Sequence, residues 1–239
     1  MKSLGNLYFV PVTLGDDNID QALPKDVISI VQNLSIFIVE NEKTARRFLG
    51  LIKTHKPLRE LTFHLLNEHT KDFDLPSLIE PLLNGENVGL MSEAGCPGIA
   101  DPGAKLAEIA HKKGIQVKPL VGPSSIIMAL MASGLNGQRF TFLGYLPTDK
   151  SERINRLKEI QTESMRLKET QIFIETPYRN QHLLEDIIQN CSANVRLCIA
   201  SNVSLENEYI KTRRISEWKN GILPNLHKIP TVFLMLAGD

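Results

Sequence analysis

With 239 residues, 42% of them hydrophobic, the chain can bury one large core or two smaller ones. Lys plus Arg and Asp plus Glu number 27 each, so no global field draws it to nucleic acid or to membranes, and any such contact must be a local patch. Residues 1–6 lack a signal peptide's apolar stretch, no apolar run is long enough for a bilayer, and Cys96, Cys191 and Cys198 have no metal spacing, which together suggest a compact cytoplasmic protein with structural thiols, no metal and no membrane partner.

Residues 7–13 read as a strand, with Pro11 marking an irregular end. A turn at 14–18 leads to a helix over 23–34 with Pro24 in its first turn. Residues 35–39 form a near-continuous apolar run of parallel-strand type, ending at Glu40. The helix after it carries Ala45, Phe48, Leu49 and Ile52 on one face. A further helix is expected over 75–83, closed by Gly85, and then a strand over 87–91. The next stretch, 91–103, reads M-S-E-A-G-C-P-G-I-A-D-P-G, a loop with three glycines and two prolines. It joins that strand to a helix over 104–113 with Leu106, Ile109 and Ala110 on one face. Another strand follows at 114–121, and G-P-S-S (122–125) opens a helix over 126–133.

Both loops therefore fall at the carboxyl ends of strands, side by side, where open α/β sheets bind ligands. Glycine permits conformations and close approaches that other residues do not. An ordinary tight βα-turn has the same composition, so the pattern alone leaves the ligand unnamed.

After Pro147 the character changes. Residues 148–168 form a charge-rich helix with Ile154, Leu157, Ile160 and Leu167 as its apolar stripe. Strands are expected at 170–175, 194–200, 206–215 and 229–236, with a helix through Leu183, Leu184, Ile187 and Ile188. The expected architecture is two α/β domains, 1–142 and 143–239, with a hinge near 143–147 and a ligand cleft between them. The first has a parallel-type sheet flanked by helices, and the second a mixed sheet. Lys211, Arg213 and Arg214 form a local basic cluster, readable as edge-strand charge or as a phosphate contact.

The sequence S-E-A-G-C-P-G-I-A-D-P-G, the following G-P-S-S and the later F-T-F-L-G-Y-L-P (140–147) resemble the tetrapyrrole methylase superfamily of S-adenosylmethionine-dependent methyltransferases. Within it they are most similar to the branch that 2′-O-methylates a cytidine of small-subunit ribosomal RNA, which typically reads S-D-A-G-T-P-x-I-x-D-P-G. The resemblance implies a class III methyltransferase fold, S-adenosyl-L-methionine as cofactor, RNA or a ribosomal subunit as partner, and a homodimer. It places cofactor contacts at Pro11, Gly15, Ser92, Glu93, Ala94, Gly95, Cys96, Ile99, Pro123, Ser124, Ser125, Leu143, Gly144, Leu146, Pro230 and Thr231.

Several positions depart from the branch. Where it has T-P-I-G-N, residues 12–16 read V-T-L-G-D, keeping Gly15 and leaving Asp16 as a ligand contact or a plain turn residue. Its E-D-T-R is E-N-E-K from Glu40, and its H-x-H-N-E survives as His64, Asn67 and Glu68. Its Y-E-S-x-x-R survives as Glu175 and Arg179. His64, Asn67, Glu68 and Arg179 are thus candidate substrate contacts, and Glu40, Glu93 and Glu175 candidate catalytic carboxylates. Methylation of a tetrapyrrole or other small molecule, and a diverged cofactor-binding protein with little activity, stay open beside the RNA reading. A nicotinamide enzyme is disfavoured, because no G-x-G-x-x-G opens the first βα-unit.

Overall fold

The structure, a computed structural model, describes residues 3–15, 18–67, 69–71, 73–101 and 103–238. The chain divides into two compact units, residues 1–124 and 125–239, each built around a five-stranded sheet.

In the first unit, β1 (Asn6–Phe9), β2 (Ile36–Val39), β3 (Thr62–Leu65), β4 (Val88–Met91) and β5 (Gln116–Pro119) pair in parallel in the order β3-β2-β4-β1-β5. The central β2 and β4 are buried throughout, whereas the edge strands β3 and β5 are partly exposed, as burial on two faces requires. Alternation along β2 sends Phe37 and Val39 into one core and Ile36 and Ile38 into the other. The first core packs Val27 and Val31 of α2 (Lys25–Gln32) with Phe48, Leu49 and Ile52 of α3 (Glu42–Ile52). The second packs Leu82 against Leu106 and Ala110 of α6 (Gly103–Lys112). A short α1 (Ile19–Ala22) precedes α2.

Two elements differ from expectation. Residues 75–83 form two single turns, α4 (Leu75–Leu78) and α5 (Glu80–Leu83), rather than one helix. Pro81 accounts for the break, since proline suits a helix's first turn but not its interior. Residues 62–65, given no element from the sequence, form edge strand β3, whose mixed burial yields no clean alternation.

In the second unit the order is β6-β7-β10-β8-β9. Here β6 is Phe140–Tyr145, β7 Thr170–Ile174, β8 Arg196–Ser201, β9 Tyr209–Arg214 and β10 Thr231–Leu236. Only β6 and β7 run parallel, so the sheet is mixed. Helix α7 (Ser125–Ser133) packs on β8, β9 and β10, and a division at 142/143 would fall inside β6. Within β6 the register against β7 shifts between Phe142 and Tyr145, where Gly144 adopts φ +70°.

Helix α8 (Lys150–Leu167) is capped by Asp149, which accepts from the Glu152 N–H at 3.0 Å. Its inward face holds Leu157 and Ile160, but also Arg153. Arg153 donates from Nε (2.9 Å) and a terminal nitrogen (2.7 Å) to buried Asp186 on α9 (Asn180–Asn190), and to the Thr148 carbonyl at 2.8 Å. A short α10 (Ile215–Asn220), not expected from the sequence, buries Trp218, whose indole N–H donates to the Leu197 carbonyl. Among the described residues no helix is long and apolar enough to cross a membrane, and no His, Cys, Asp and Glu group could hold a metal ion.

Candidate functional site

The first unit's site grows out of the carboxyl edge of its parallel sheet, where β1, β2, β4 and β5 all end. The glycine loop is clipped to the segment after β1 by a two-way bridge. The Val12 N–H donates to the Gly95 carbonyl at 2.9 Å, and the Gly95 N–H to the Val12 carbonyl at 3.0 Å. Gly95 makes this contact at φ +71°, a left-handed conformation that favours glycine. On its other side the loop meets the segment after β5, where the Cys96 thiol donates to the Pro123 carbonyl at 3.3 Å. The two loops expected side by side therefore touch.

Gly122 makes a still closer approach. A Cβ added there would lie 2.2 Å from Pro11 Cβ and 2.3 Å from its Cγ, so only glycine lets these segments pass. Asp101 organises the loop's far end. Its Oδ1 accepts from the Gly103 N–H at 2.7 Å and from the Gly98 N–H at 2.8 Å. Burial raises its carboxyl above the ordinary value, against the lowering effect of those two N–H groups.

Glu40, at the end of β2, accepts from the Glu93 N–H at 3.0 Å and so holds the start of the same loop. Burial raises the Glu40 carboxyl; the Glu93 N–H opposes this, and the carboxylates of Asp101 and Glu93 add to it. Its neighbour Asn41 caps α3, accepting from the Lys43 N–H at 2.9 Å, so the branch's acidic position serves helix initiation here. Beside these groups lies a cleft of about 170 Å³, lined among others by Val12, Gly15, Thr44, Arg47, Glu93 and Ala94.

Pro11, Gly15, Ser92, Glu93, Ala94, Gly95, Cys96, Pro123 and Ser124 are thus gathered on one sheet edge. Ile99 is exposed on the same loop. His64 and Asn67 lie on and after edge strand β3, with β2 between them and β4. The Asn67 side-chain oxygen Oδ1 accepts from the His69 N–H in a local turn. Glu68 and Asp16 fall outside the described residues. Asp101, Gly122, Thr44 and Arg47 were not singled out from the sequence. Asp101 and Gly122 stand inside the two motifs, while Thr44 and Arg47 follow β2 three residues apart on one helix face.

In the second unit a single sheet edge collects the ends of β6, β7 and β8 and the start of β10, because β10 runs antiparallel to β7 and β8. Leu143, Gly144, Leu146, Glu175, Arg179, Pro230 and Thr231 all lie on or beside it, whereas Ser125 opens α7. Buried Glu175 accepts from the Thr176 N–H and from Arg179, both at 2.6 Å. Its second oxygen and Arg179 Nε, both buried, have no hydrogen-bond partner among the described residues. Thr231 hydrogen-bonds Ser201 and the Ile229 carbonyl, and Leu146 is a core residue.

A five-stranded parallel sheet with a glycine loop clipped at its carboxyl edge, followed by a mixed-sheet unit, is the arrangement of a class III methyltransferase. The sequence model of the Tetrapyrrole (Corrin/Porphyrin) Methylases matches residues 6–218, and the chain belongs to that family of methyltransferases, which take the methyl group from S-adenosylmethionine. Among its relatives, the Ribosomal RNA small subunit methyltransferase I of Vibrio cholerae serotype O1 is 32% identical over 88% of this chain and 69% of its own length. The protein of the same name from Escherichia coli O157:H7 is 35% identical over 78% of this chain and 61% of its own. The chain thus spans between three fifths and seven tenths of these two relatives. The solved structure of the methyltransferase CobJ shares the fold, with a TM-score of 0.64 at 17% identity, covering 98% of this chain and 94% of that one.

Proposed function

We propose that this protein is an S-adenosylmethionine-dependent methyltransferase of RNA, acting on a ribose 2′-hydroxyl of small-subunit ribosomal RNA. The observation that carries the reading is the glycine loop. It resembles the branch's motif, it is held in place by Val12, Asp101 and Glu40, and relatives named for ribosomal RNA methylation match the chain over most of its length.

The residues present fit the cofactor. The loop offers small side chains and exposed residues at 93–94 and 99–100, and positive φ at Gly95 and Gly98 lets it turn tightly at the sheet edge. At about 170 Å³, the first unit's cleft is smaller than the roughly 300–1,000 Å³ of ligand pockets, so it suits one end of the molecule. Gly15, residues 92–96 and residues 123–124 are the proposed contacts there. Ser125, Ile99, Leu143, Gly144, Leu146, Pro230 and Thr231 are further proposed contacts that rest on the family resemblance.

When bound, the cofactor supplies an activated methyl group for in-line displacement. The chain's part is to hold the acceptor aligned, which accounts for much of such acceleration. Of the three candidate carboxylates, Glu40 is committed to the Glu93 N–H and Glu175 to Arg179 and its own loop. Glu93 is exposed beside the cleft, and we assign it the acceptance of the ribose hydroxyl's proton. Arg179, partly exposed, is the proposed substrate contact of the second unit, with His64 and Asn67 proposed in the first. A cytoplasmic location and a homodimer complete the proposal.

Calorimetric titration with S-adenosylmethionine, followed by labelled methyl transfer to unmodified small ribosomal subunits and to a tetrapyrrole, tests this reading. Cofactor binding with label in RNA is expected. Label only in the tetrapyrrole would replace the substrate, and absence of cofactor binding would overturn the enzyme reading.

A further inference from the structure

The second unit carries an exposed aromatic and basic cluster, in which Tyr178 fills an unspecified position of the Y-E-S-x-x-R stretch and His227 and Lys228 lie outside the methylase motifs. Tyr178 is 66% exposed, although it stands between the start of the Glu175–Arg179 pair and helix α9. His227 meets it edgewise at 6.5 Å between ring centroids, and Lys228 places its ammonium 5.7 Å from the Tyr178 ring centroid. His227 and Lys228 are themselves exposed.

Three hydrogen bonds join the two segments that carry this cluster. The Lys228 N–H donates to the Pro177 carbonyl at 2.9 Å. Asn180 Nδ2 donates to the Ile229 carbonyl at 2.6 Å, and the Leu226 N–H to Gln181 Oε1 at 2.9 Å. Leu226 and Asn180 are buried, anchoring the segments from below. Lys228 also adopts φ +62°, an uncommon conformation for a residue other than glycine. Backbone strain held in place by cross-links is a feature that gathers at binding sites. A tyrosine kept exposed on a fixed frame loses little freedom when it is covered, so contact there is inexpensive in entropy.

We propose that Tyr178, His227 and Lys228 form a platform for single-stranded RNA, with an unpaired nucleobase stacking on Tyr178 and Lys228 contacting an adjacent phosphate. This inference rests on the RNA reading above and names where the second unit grips the substrate strand. Every nucleobase has a π-face, so stacking on an exposed aromatic ring tolerates sequence, while a nearby cation follows the backbone. With equal numbers of acidic and basic residues overall, RNA affinity must come from such local groups. The platform also sits at the sheet edge that carries Glu175, Pro230 and Thr231.

The test is fluorescence polarisation with a labelled ten-nucleotide single-stranded RNA and a second strand of the same length made abasic at its centre. Tyr178→Ala should weaken binding of the intact strand by about 5- to 150-fold and barely change binding of the abasic one. Tyr178→Phe should keep the wild-type affinity. Lys228→Ala should lower the slope of log affinity against log salt by about 0.7, which Tyr178→Ala should not. Cofactor affinity, measured by calorimetry, should stay unchanged in all three and exclude misfolding. If the wild type methylates ribosomal subunits but Tyr178→Ala binds both strands as well as wild type, the platform alone is wrong. If polyglutamate displaces either strand equally well, the patch serves an acidic protein surface and the assignment fails. If the wild type transfers no methyl group to any RNA, the functional reading has failed and the platform with it.

Discussion

Replacing Gly122 by alanine tests how the two site loops are held. The new Cβ would stand 2.2 Å from Pro11 Cβ, about 1.3 Å inside the roughly 3.5 Å of an ordinary carbon contact. Pro11 cannot rotate away, because its ring fixes the backbone, and Leu23 closes in at 3.3 Å from another side. The backbone must therefore part, at a cost of about 1–3 kcal/mol for overpacking. For a chain of this size that lowers Tm by about 3–10 °C. Parting these segments also draws Pro123 from Cys96, so the affinity for S-adenosylhomocysteine should fall about tenfold, or about 1.4 kcal/mol. Calorimetric melting and titration read both numbers. Pro11→Gly removes the clashing carbons, so the double variant should lose less than the two single losses added together. A Gly122→Ala protein with wild-type Tm and affinity, or a double variant whose losses simply add, would refute the close-approach argument.

Gly95→Arg should abolish cofactor binding, since it puts a long side chain at φ +71° in the middle of the clipped loop; a folded variant with unchanged affinity in calorimetry would move the site elsewhere. Arg153→Met should destabilise by about 3 kcal/mol in urea unfolding, because Asp186 is left buried with Lys150, at 3.8 Å, as its remaining ion-pair partner among the described residues. Adding Asp186→Leu should recover much of that loss. Glu40 has a folded pKa raised above its ordinary 4.5, so its contribution to stability is complete below that value and is lost as pH rises through the raised one. Glu40→Gln keeps an acceptor for the Glu93 N–H, and the wild type minus variant stability should therefore fall across that window; a difference independent of pH would contradict the burial argument. With its thiol pushed up to about 12 by burial, Cys191 should stay unmodified by a thiol reagent at pH 8 in the native state, and half-buried Cys96 should react first.

Much of this architecture is legible in the residues. The apolar runs at 36–39 and 88–91 announce a buried parallel sheet, and the motif from Ser92 announces a glycine loop at its edge, while the bridge that clips it to Val12 is seen only in the fold. What escapes the sequence is the assignment of polar roles. Glu40 reads as a free carboxylate at a strand end, yet it is spent on a backbone N–H fifty-three residues away. Arg153 reads as part of a solvated face, yet Asp186 on the next helix draws it inside. Asn41 departs from the branch in chemistry but is well suited to a helix cap. Such partners are separated along the chain, and periodicity reports only which side a residue faces. Pro81 marks the break between α4 and α5, whereas the apolar pattern around it reads as one continuous helix. Edge strand β3 is only partly buried and shows no clean alternation, and short α10 lacks the length that makes a period evident.

The central claim is methyl transfer to a ribose of RNA. Incubation with S-adenosylmethionine labelled at its methyl group and unmodified small ribosomal subunits, followed by alkaline hydrolysis of the RNA, tests it most directly. A 2′-O-methyl group removes the hydroxyl that alkali needs, so label in an alkali-resistant dinucleotide is the predicted result. Label in single nucleotides would mean that a base is methylated, and subunits without label, beside a wild-type protein that binds the cofactor, would contradict the account.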